Sequence, residues 1–565
     1  MAAIAGVGIA AMVLAGCTTD GTEVEEAQGG TVTVAEVNEL TSLNTGTPDG
    51  NVDINGKVTY LTTSGFNFLT DKLELVDDEK FGTVELVSED PLVVKYTIND
   101  DQKWSDGTAI TADDLLLNWA VQSAYYDSED NQYFTYAGDT SGLALTDFPE
   151  ISEDNLSLTL TYSKPFADWK YVSLLDRPAH IVADKAGSTV EEVRAAFEDT
   201  ERGSAEVNET IRAVADFWNT GYVMTSFPTD KDLLVASGPF ILSAWEPKQS
   251  ITLERNEAYT GGNVPNLDSV VIRFIGDPNT QVTALENGDV DVIAPQASAD
   301  TLSALEAIDS AKTIVGDQFS YDHLDLTFSE GPFQDADVRE AFLKTIPRQQ
   351  ILDAIVTPIN PEAKILDSQL FVPTQGDSYT SSAAGNGSSE YAEPDIEGAK
   401  ALLNGATPTV RILYNNGNPN RVDAFQAISA SATEAGFKIE DLGSPDWGSL
   451  LGGGGYDASI FGWVSSGVGV TGVPQIFGTG GGGNYNGYSN AEIDALNDEL
   501  IVTADAAEQV KIQEQIDKLL FDDAYGLPLF QGPGITAYSD LVSGITHFPG
   551  QTGVYWNVWD WSVEG

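Results

Sequence analysis

Basic residues are scarce in this chain of 565 residues. It contains 27 Lys and Arg against 87 Asp and Glu, which gives a formal net charge of −60. Such a charge repels nucleic acid and anionic lipid headgroups, so the sequence predicts no nucleic-acid partner. Because 42% of the residues are hydrophobic, several buried cores are possible, and we expect a folded protein of roughly two to four domains.

Histidine is also rare, which limits metal and general-base chemistry. The histidines of the chain are His180, His323 and His547. Asp322, His323 and Asp325 together could hold a divalent cation, since carboxylate and imidazole suit Zn or Mn. Residues 321–328 alternate like a strand, however, which sends His323 and Asp325 to one face and Asp322 to the other. We therefore expect no metal site, and nothing in the sequence predicts a cofactor.

Nucleophile and phosphate motifs are missing as well. The sequence has no G-x-S-x-G elbow and no G-x-x-x-x-G-K-[ST] loop, and no Lys-Ser/Thr pair follows the glycine runs at 452–455 and 480–483. Residues 139–142 (DTSG) come near the aspartic-protease triplet, but we interpret them as a turn. The sequence predicts that the protein is not an enzyme. A surface hydrolase that uses paired carboxylates is the least favoured alternative.

The single cysteine, Cys17, closes an apolar leader. Residues 1–17 (MAAIAGVGIAAMVLAGC) are too short to span a bilayer and suit the apolar core of a signal peptide, although a basic start is missing, so the true start codon could lie upstream. Residues 14–17 (LAGC) resemble a bacterial lipobox, in which the cysteine is lipidated and becomes the first residue. The alternative is an ordinary secretory signal with an accidental cysteine.

Residues 18–30 (TTDGTEVEEAQGG) have the small, polar and acidic composition of a flexible tether. Because the chain has no other thiol, an internal disulfide is impossible. The fold must therefore be stable outside the cytoplasm through core packing alone. We expect a globular body at the cell surface, anchored by lipid to the outer face of the cytoplasmic membrane.

The remainder of the chain has a mixed α/β pattern. Helix starts are predicted at Thr111, where Asp114 completes a capping box, and at Ser188 with Glu191. Two helices are predicted at 490–502 and 506–523, and the polar segment 372–394 is predicted to be a loop. Five β-rich runs predict strands, at residues 31–37, 92–98, 156–162, 251–255 and 269–275.

Several short motifs follow one another along the chain. They are KWSDGT with TADD (103–108, 111–114), SGPF with WEP and ITLERN (237–240, 245–247, 251–256), ENGDVDVI (286–293), PFQDADVREAF (332–342), YSN (488–490) and LPLF (527–530). In this order, they resemble the motifs of the oligopeptide/dipeptide-binding family of extracytoplasmic solute-binding proteins of ABC importers, solute-binding protein family 5. Any one match is weak, but their order and spacing are specific.

The resemblance implies an α/β, two-lobed periplasmic-binding-protein-like fold with a hinge and an additional accessory domain. It implies a discontinuous lobe I at 31–60, 165–295 and 531–565, an accessory domain at 61–164, and lobe II at 296–530. The implied function is capture of a solute, first of all a peptide, for ABC permease subunits by a monomeric lipoprotein. Binding of an oligosaccharide or metal complex, or surface sensing of a ligand, is the alternative.

A long neutral stretch raises the question of where the ligand binds. Residues 458–491 contain ten glycines and no Asp, Glu, Lys or Arg. The resemblance implies that Gly462 and Trp463, with Val464 beside them, line the cleft along an extended peptide, because glycine lets another backbone approach closely. Trp447 is a second predicted wall. The alternative for both tryptophans is that they pack in the core.

One position departs from the family pattern. Many peptide binders of the family have an aspartate three positions after this tryptophan, which pairs with the amino terminus of the ligand, but here the position is Ser466. A hydroxyl accepts only a weaker, neutral hydrogen bond. We count Ser466 among the predicted ligand-binding residues, and a blocked or differently oriented peptide fits the sequence equally well.

Overall fold

The computed structural model describes residues 29–464 and 468–564, which form a mixed α/β protein. Parallel and antiparallel strands alternate with helices along most of the chain. The strands are β1 Thr31–Glu36, β2 Asn67–Leu69, β3 Leu75–Asp77, β4 Gly82–Glu89, β5 Leu92–Ile98, β6 Glu150–Ile151, β7 Ser157–Thr161, β8 Phe240–Glu246, β9 Ser250–Arg255, β10 Ser269–Phe274, β11 Val292–Ile293, β12 Ala311–Leu326, β13 Thr409–Tyr414, β14 Lys438–Gly443, β15 Ala458–Val464, β16 Gly526–Ser539, β17 Val542–Ser543 and β18 Ser562–Val563.

Most helices are shorter than four turns. They are α1 Asp53–Thr62, α2 Ala112–Gln122, α3 Ala179–Lys185, α4 Val190–Asp199, α5 Glu209–Thr220, α6 Pro278–Glu286, α7 Ala299–Glu306, α8 Ala336–Leu343, α9 Arg348–Ile355, α10 Asp377–Gly385, α11 Ile396–Leu403, α12 Pro419–Ala435, α13 Trp447–Leu451, α14 Gly472–Phe477, α15 Ala491–Leu500 and α16 Ala506–Asp522. Within 29–464 and 468–564, none of them is both long and apolar enough to cross a membrane.

The largest sheet runs through both lobes. Its strand order is β14-β13-β15-β12-β16-β11-β1-β10-β9-β8. The long antiparallel strands β12 and β16 connect its two halves: residues 311–317 pair with 533–539 beside β11, and residues 321–325 pair with 526–531 beside β15. The pairing register shifts between Asp317 and Tyr321. The two halves of the sheet are therefore joined by two neighbouring strands with an irregular segment between the halves.

The hydrophobic cores follow this division. One core collects side chains from β1, β8 to β10 and the C-terminal segment, and it also includes side chains of the separate four-stranded sheet β4-β5-β7-β6, such as Val94 and Leu160. A second core lies around β12, β13, β15 and β16 and includes Leu324 and Ile460. The predicted accessory region thus shares its core with the first half of the large sheet. The domain limits given above stay predictions.

The strands and helices that local sequence signals predict are present in the structure. The five predicted strands correspond to β1, β5, β7, β9 and β10, and the two C-terminal helices correspond to α15 and α16. The capping box of Thr111 with Asp114 at α2 is confirmed. The second box begins one residue later than predicted, at Thr189 with Glu192, because the Thr189 hydroxyl is the group that accepts the Glu192 backbone N–H.

The prediction of a loop at 372–394 was wrong in part, since α10 lies within it. Its small polar residues pack through hydrogen bonds and not through an apolar face. Ser382 Oγ donates to the buried carboxylate of Asp517 on α16 at 2.5 Å, and Asn386 Nδ2 donates to the same oxygen at 2.8 Å. Composition alone does not reveal such a polar anchor, which lies 135 residues further along the chain from Ser382.

Candidate functional site

A cavity of about 730 Å³ lies between parts of the chain that are far apart in sequence. Its walls come from α1 and the segment after it, from residues 136–143 and 166–176, and from residues 468–471 of the neutral stretch. The volume falls within the roughly 300–1,000 Å³ that is typical of small-ligand sites. This cavity combines the volume of a ligand site with walls from distant parts of the described chain, so it is the first candidate for ligand binding.

Aromatic side chains make up much of the cavity surface. The aromatic residues that line it are Tyr60, Phe68, Tyr136, Phe166, Tyr171, Tyr259 and Trp559. Such rings offer large apolar faces at low conformational cost, and each tyrosine adds a hydroxyl that can orient a polar ligand. The cavity can therefore hold a ligand that is partly apolar and still fix its orientation.

Every charged residue that lines the cavity is an aspartate. The four are Asp78, Asp139, Asp168 and Asp176. Among the described residues, no lysine, arginine or histidine lines it. Asp176 is paired with Arg177, whose Nη2 lies 2.8 Å from Asp176 Oδ1, whereas the other three carboxylates have no ion-pair partner within the described ranges. The cavity therefore carries negative charge.

Asp78 and Asp139 are held in place by local hydrogen bonds. Asp78 accepts backbone N–H groups of Lys80, Phe81 and Gly262 at 3.1–3.3 Å. Asp139 accepts the backbone N–H of Ser141 at 3.1 Å and its hydroxyl at 2.7 Å. The DTSG segment is therefore a side-chain-stabilised turn, as predicted, and no local signal indicates that this turn lines a cavity.

Asp168 connects the two sides of the cavity. Its Oδ2 accepts the backbone N–H groups of Val470 at 2.7 Å and Thr471 at 3.0 Å, across 302 and 303 residues of sequence. Gly469, directly before Val470, has a φ of +78°, and a Cβ there would lie 2.6 Å from the same carboxylate oxygen. The loop at 468–471 can approach Asp168 only because glycine stands at 469. We call this contact the Asp168 clasp.

The cavity environment affects its tyrosines. Burial, with the added negative charge of Asp176 and Asp139, raises the pKa of Tyr136 to about 12. Burial and the nearby Asp78 likewise raise the pKa of Tyr259. Both hydroxyls therefore stay protonated at neutral pH and can donate hydrogen bonds to a ligand.

The predicted wall residue Trp463 lies at the end of β15, outside the set that lines this cavity. Its half-buried ring is nearly parallel to His323 at 6.2 Å and to Tyr485 at 6.0 Å, and it meets Phe461 edge-on at 5.3 Å. These ring contacts account for its position without a ligand. Its role as a ligand wall stays a prediction.

The other predicted wall residues surround an ion pair. A Cβ on Gly462 would lie 2.5 Å from Asp322 Oδ1, which pairs with Arg421, and the Arg421 guanidinium lies over the Trp447 ring at 5.0 Å. Val464, next along β15, is 54% exposed. These residues also lie outside the cavity lining. Ser466 and Cys17 lie outside the described residues.

The predicted separation of Asp322 from His323 and Asp325 is confirmed. His323 Nδ1 lies 2.7 Å from Asp325 Oδ1 in the interior, while Asp322 pairs with Arg421 on the opposite face of β12. In the described part of the chain, no three His, Cys, Asp or Glu side chains are grouped so that they could hold a metal ion. The His323–Asp325 pair is thus a feature of the packed interior.

Sequence reasoning missed the residues that form the cavity. Asp139, Asp168, Asp176 and Tyr136 lie in loops and turns without a family motif. The local signal at Asp139 indicated a turn, and no periodicity distinguishes Asp168 from the many other acids of the chain. Residues 468–471 belong to the neutral stretch for which the resemblance implies a ligand role, but the resemblance points to residues 462–466 within it.

Comparison with known proteins identifies the family. The model of the bacterial extracellular solute-binding proteins, family 5 (middle region), matches residues 82–485, which is more than half of the chain. The chain belongs to this family.

Curated relatives cover nearly the whole chain. An uncharacterised lipoprotein of Mycobacterium tuberculosis is 25% identical over 93% of this chain and 91% of its own length. The oligopeptide-binding protein OppA of Mycobacterium tuberculosis is 24% identical over 94% of this chain and 88% of its own length. The similarity extends over most of both chains, so this chain is comparable with these relatives along nearly their full length.

Solved structures share the fold. The periplasmic EDTA-binding protein EppA superposes with a TM-score of 0.83 at 24% identity and covers 95% of this chain and 97% of its own. The oligopeptide-binding protein AppA of Bacillus subtilis, solved with a nonapeptide, gives a TM-score of 0.71 at 19% identity over 95% and 99% of the two chains. The expected two-lobed α/β solute-binding fold is thereby confirmed.

Proposed function

We propose that this protein captures peptides in the cavity between its lobes and delivers them to the permease of an ABC importer. The observation that carries the proposal is the cavity of about 730 Å³. Its walls combine residues from the N-terminal half of the chain with the loop at 468–471 from the C-terminal half. Oligopeptide-binding relatives support the peptide as ligand. The volume favours a short peptide or one that leaves part of its length outside.

Closure of the lobes is the proposed mode of capture. A ligand that contacts both walls makes its full set of contacts only in the closed form, so binding shifts the population toward closure. The Asp168 clasp contributes two hydrogen bonds between the same two walls. We propose the irregular segment 317–321 of β12, where β12 and β16 pass between the halves of the sheet, as part of the hinge.

Binding without turnover is the proposed outcome. No histidine or cysteine is found among the described residues that line the cavity, so neither type of side chain is available there as a base or nucleophile. The native protein should therefore release its ligand unchanged when denatured, and mass spectrometry can identify that ligand. Conversion of the ligand by the purified protein would contradict the proposal and favour a surface hydrolase.

A melting experiment tests the ligand class. Mass action predicts a gain of about 2.7 kcal/mol in stability at a ligand concentration one hundred times the dissociation constant. We expect peptide pools to raise the melting temperature and sugar pools to leave it unchanged. If metal chelates alone raise the melting temperature, the second candidate is favoured, a protein that binds a non-peptide solute. The similarity to the EDTA-binding protein supports this second candidate.

We further propose that Cys17 carries the lipid anchor of a monomeric protein at the outer face of the cytoplasmic membrane. Lipoprotein relatives support this proposal. Burial contributes about 0.8 kcal/mol per methylene, so two or more acyl chains attach a protein stably where one does not. Cys17→Ser should release the protein or leave it unprocessed. Membrane fractions that hold correctly processed mutant at the wild-type level would contradict the anchor.

A further inference from the structure

We propose that the cavity selects ligands with a positive charge, and that an ammonium group of the ligand, such as a peptide amino terminus, binds at Asp139 beside Tyr136. The inference rests on the proposed function, because it names the ligand class and the anchoring residue of the same cavity. It places the charged anchor on the wall opposite to the one that the family resemblance indicates.

The sign of the lining charge alone is a weak argument. Acidic residues outnumber basic ones about threefold in the whole chain, so an acidic lining is no surprise. The partners of each carboxylate show which one can bind a positively charged group of the ligand. Arg177 offsets Asp176, and Asp78 accepts three backbone N–H groups, while Asp168 holds the loop at 470–471.

Within the described ranges, Asp139 is the lining carboxylate that has neither an ion pair nor a hydrogen bond to a distant segment, and it is more exposed than the buried Asp168. The only hydrogen-bond partner of Asp139 among the described residues is Ser141, which donates one bond to each carboxylate oxygen. An ionised carboxylate has about four lone-pair positions, so both oxygens can still accept. The side chain is half-buried, which weakens screening of its charge by solvent. An ammonium group that reaches it makes charge-assisted hydrogen bonds, which are about twice as strong as neutral ones.

Aromatic rings frame the same turn. The ring of Tyr136 folds over Gly138 and that of Phe166 over Gly142, so that a Cβ at either glycine would lie within 2.4 Å of the ring. The two rings thus lie at both ends of the turn that carries Asp139, and both line the cavity. A carboxylate next to aromatic faces is the combination that recognises ammonium ions, through hydrogen bonds and cation–π attraction.

Nearby cations do not offset this negative corner. Arg177 pairs with Asp176 behind the lining, and the Lys170 ammonium lies over the ring of Tyr171 at 5.0 Å, but neither residue lines the cavity. The raised pKa of Tyr136 has the negative charge of Asp176 and Asp139 among its causes, after burial. A buried carboxylate or chelate anion of a ligand would therefore lack a partner, which is costly. The EDTA-binding protein shares the fold, but a polyanionic chelate does not suit this cavity.

The test uses pools of random-sequence pentapeptides in three matched forms: free amino terminus with amidated carboxyl end, both ends blocked, and acetylated amino terminus with free carboxylate. We expect the first pool to raise the melting temperature most and the third least. For the tightest binder found, calorimetry should give at least tenfold weaker binding after acetylation, about 1.4 kcal/mol at 25 °C.

Asp139→Asn identifies the anchor, and Asp216→Asn is its control. Asp216 is exposed on α5 and lies outside the cavity. Its substitution removes one negative charge, as Asp139→Asn does, but at a position that does not line the cavity. We expect Asp139→Asn to weaken the free-amine peptide about tenfold and its acetylated form less than twofold, and Asp216→Asn to change neither.

The outcomes separate the two proposals. The inference is overturned if peptides with a blocked amino terminus bind as tightly as peptides with a free one. It is also overturned if Asp139→Asn weakens the free-amine peptide and its acetylated form equally. In both cases the proposal of peptide capture stands. If no pool shifts the melting temperature and no peptide is released from the native protein, the proposed function fails, and the inference fails with it.

Discussion

Two parts of the neutral stretch 458–491, β15 and the loop at 468–471, both lack charge and have different surroundings. The first part, β15, is a strand with strand neighbours on both sides, and residues 458–461 are buried. The loop at 468–471 instead offers backbone N–H groups to Asp168 and lines the cavity. Both parts lack charged residues, but for separate reasons: burial excludes charge from β15, whereas the loop must bring its backbone close to a carboxylate.

This difference shows why a neutral, glycine-rich composition does not by itself locate a ligand. The tryptophan that the family resemblance selected lies among His323, Phe461 and Tyr485. The residues that reach the other lobe come only a few positions later. Substitutions in the two parts should therefore affect different properties, namely folding stability at β15 and closure of the lobes at the loop.

The largest effect is expected for Trp463→Ala. Loss of a half-buried ring that contacts three others should lower the free energy of unfolding by about 3 kcal/mol, with or without ligand. Trp447→Ala is the matched control, because that equally half-buried ring has one aromatic neighbour in the described chain, Phe461, besides Arg421, and its loss should cost less. Denaturant unfolding measures both. Unchanged stability together with affinity weakened by more than about 1 kcal/mol would instead support Trp463 as a ligand wall.

A smaller effect is expected at the loop. Gly469→Ala places a methyl group 2.6 Å from Asp168 Oδ2 at a positive φ, so the Asp168 clasp should break. We expect ligand binding to weaken by about 2 kcal/mol, from two hydrogen bonds at about 1 kcal/mol each, with little change in the ligand-free melting temperature. Gly472→Ala is the control, since nothing lies within 4 Å of its Cβ position.

A double-mutant cycle sharpens this prediction. If Gly469→Ala acts through the clasp, adding Asp168→Ala should cost little more than either change alone, because both remove the same contact. Additive losses of affinity would mean that Gly469 and Asp168 act separately and that the clasp does not contribute to closure.

The smallest effect is expected for Gly462→Ala in β15. Its methyl group would displace the Asp322 carboxylate, the mobile end of a side chain, and disturb the ion pair with Arg421. We expect a loss of about 1 kcal/mol in unfolding free energy, since partly exposed pairs contribute little. If Gly462→Ala costs no further stability in the Asp322→Ala background, this cause is confirmed. A loss of affinity without a loss of stability would show that a ligand uses the space beside Gly462.

Local signals in the sequence predicted those parts of the fold that depend on neighbouring residues. The Thr111–Asp114 box fixed the start of α2, and alternation placed His323 and Asp325 on one face of β12 with Asp322 on the other. The polar segment around α10 was missed, because its order depends on the distant carboxylate of Asp517. The resemblance predicted the family through the order of its motifs, but it did not select the residues that line the cavity.

The sequence by itself determined the class of protein, since the order of the motifs and the periodicity of strands and helices are local properties of the chain. Only the tertiary structure decided which residues form the cavity. Asp139, Asp168 and the loop at 468–471 come together because β12 and β16 join the two halves of the sheet, and the bond from Val470 to Asp168 spans 302 residues. No local pattern encodes such a contact, because its energy comes from groups that meet only after the lobes have packed.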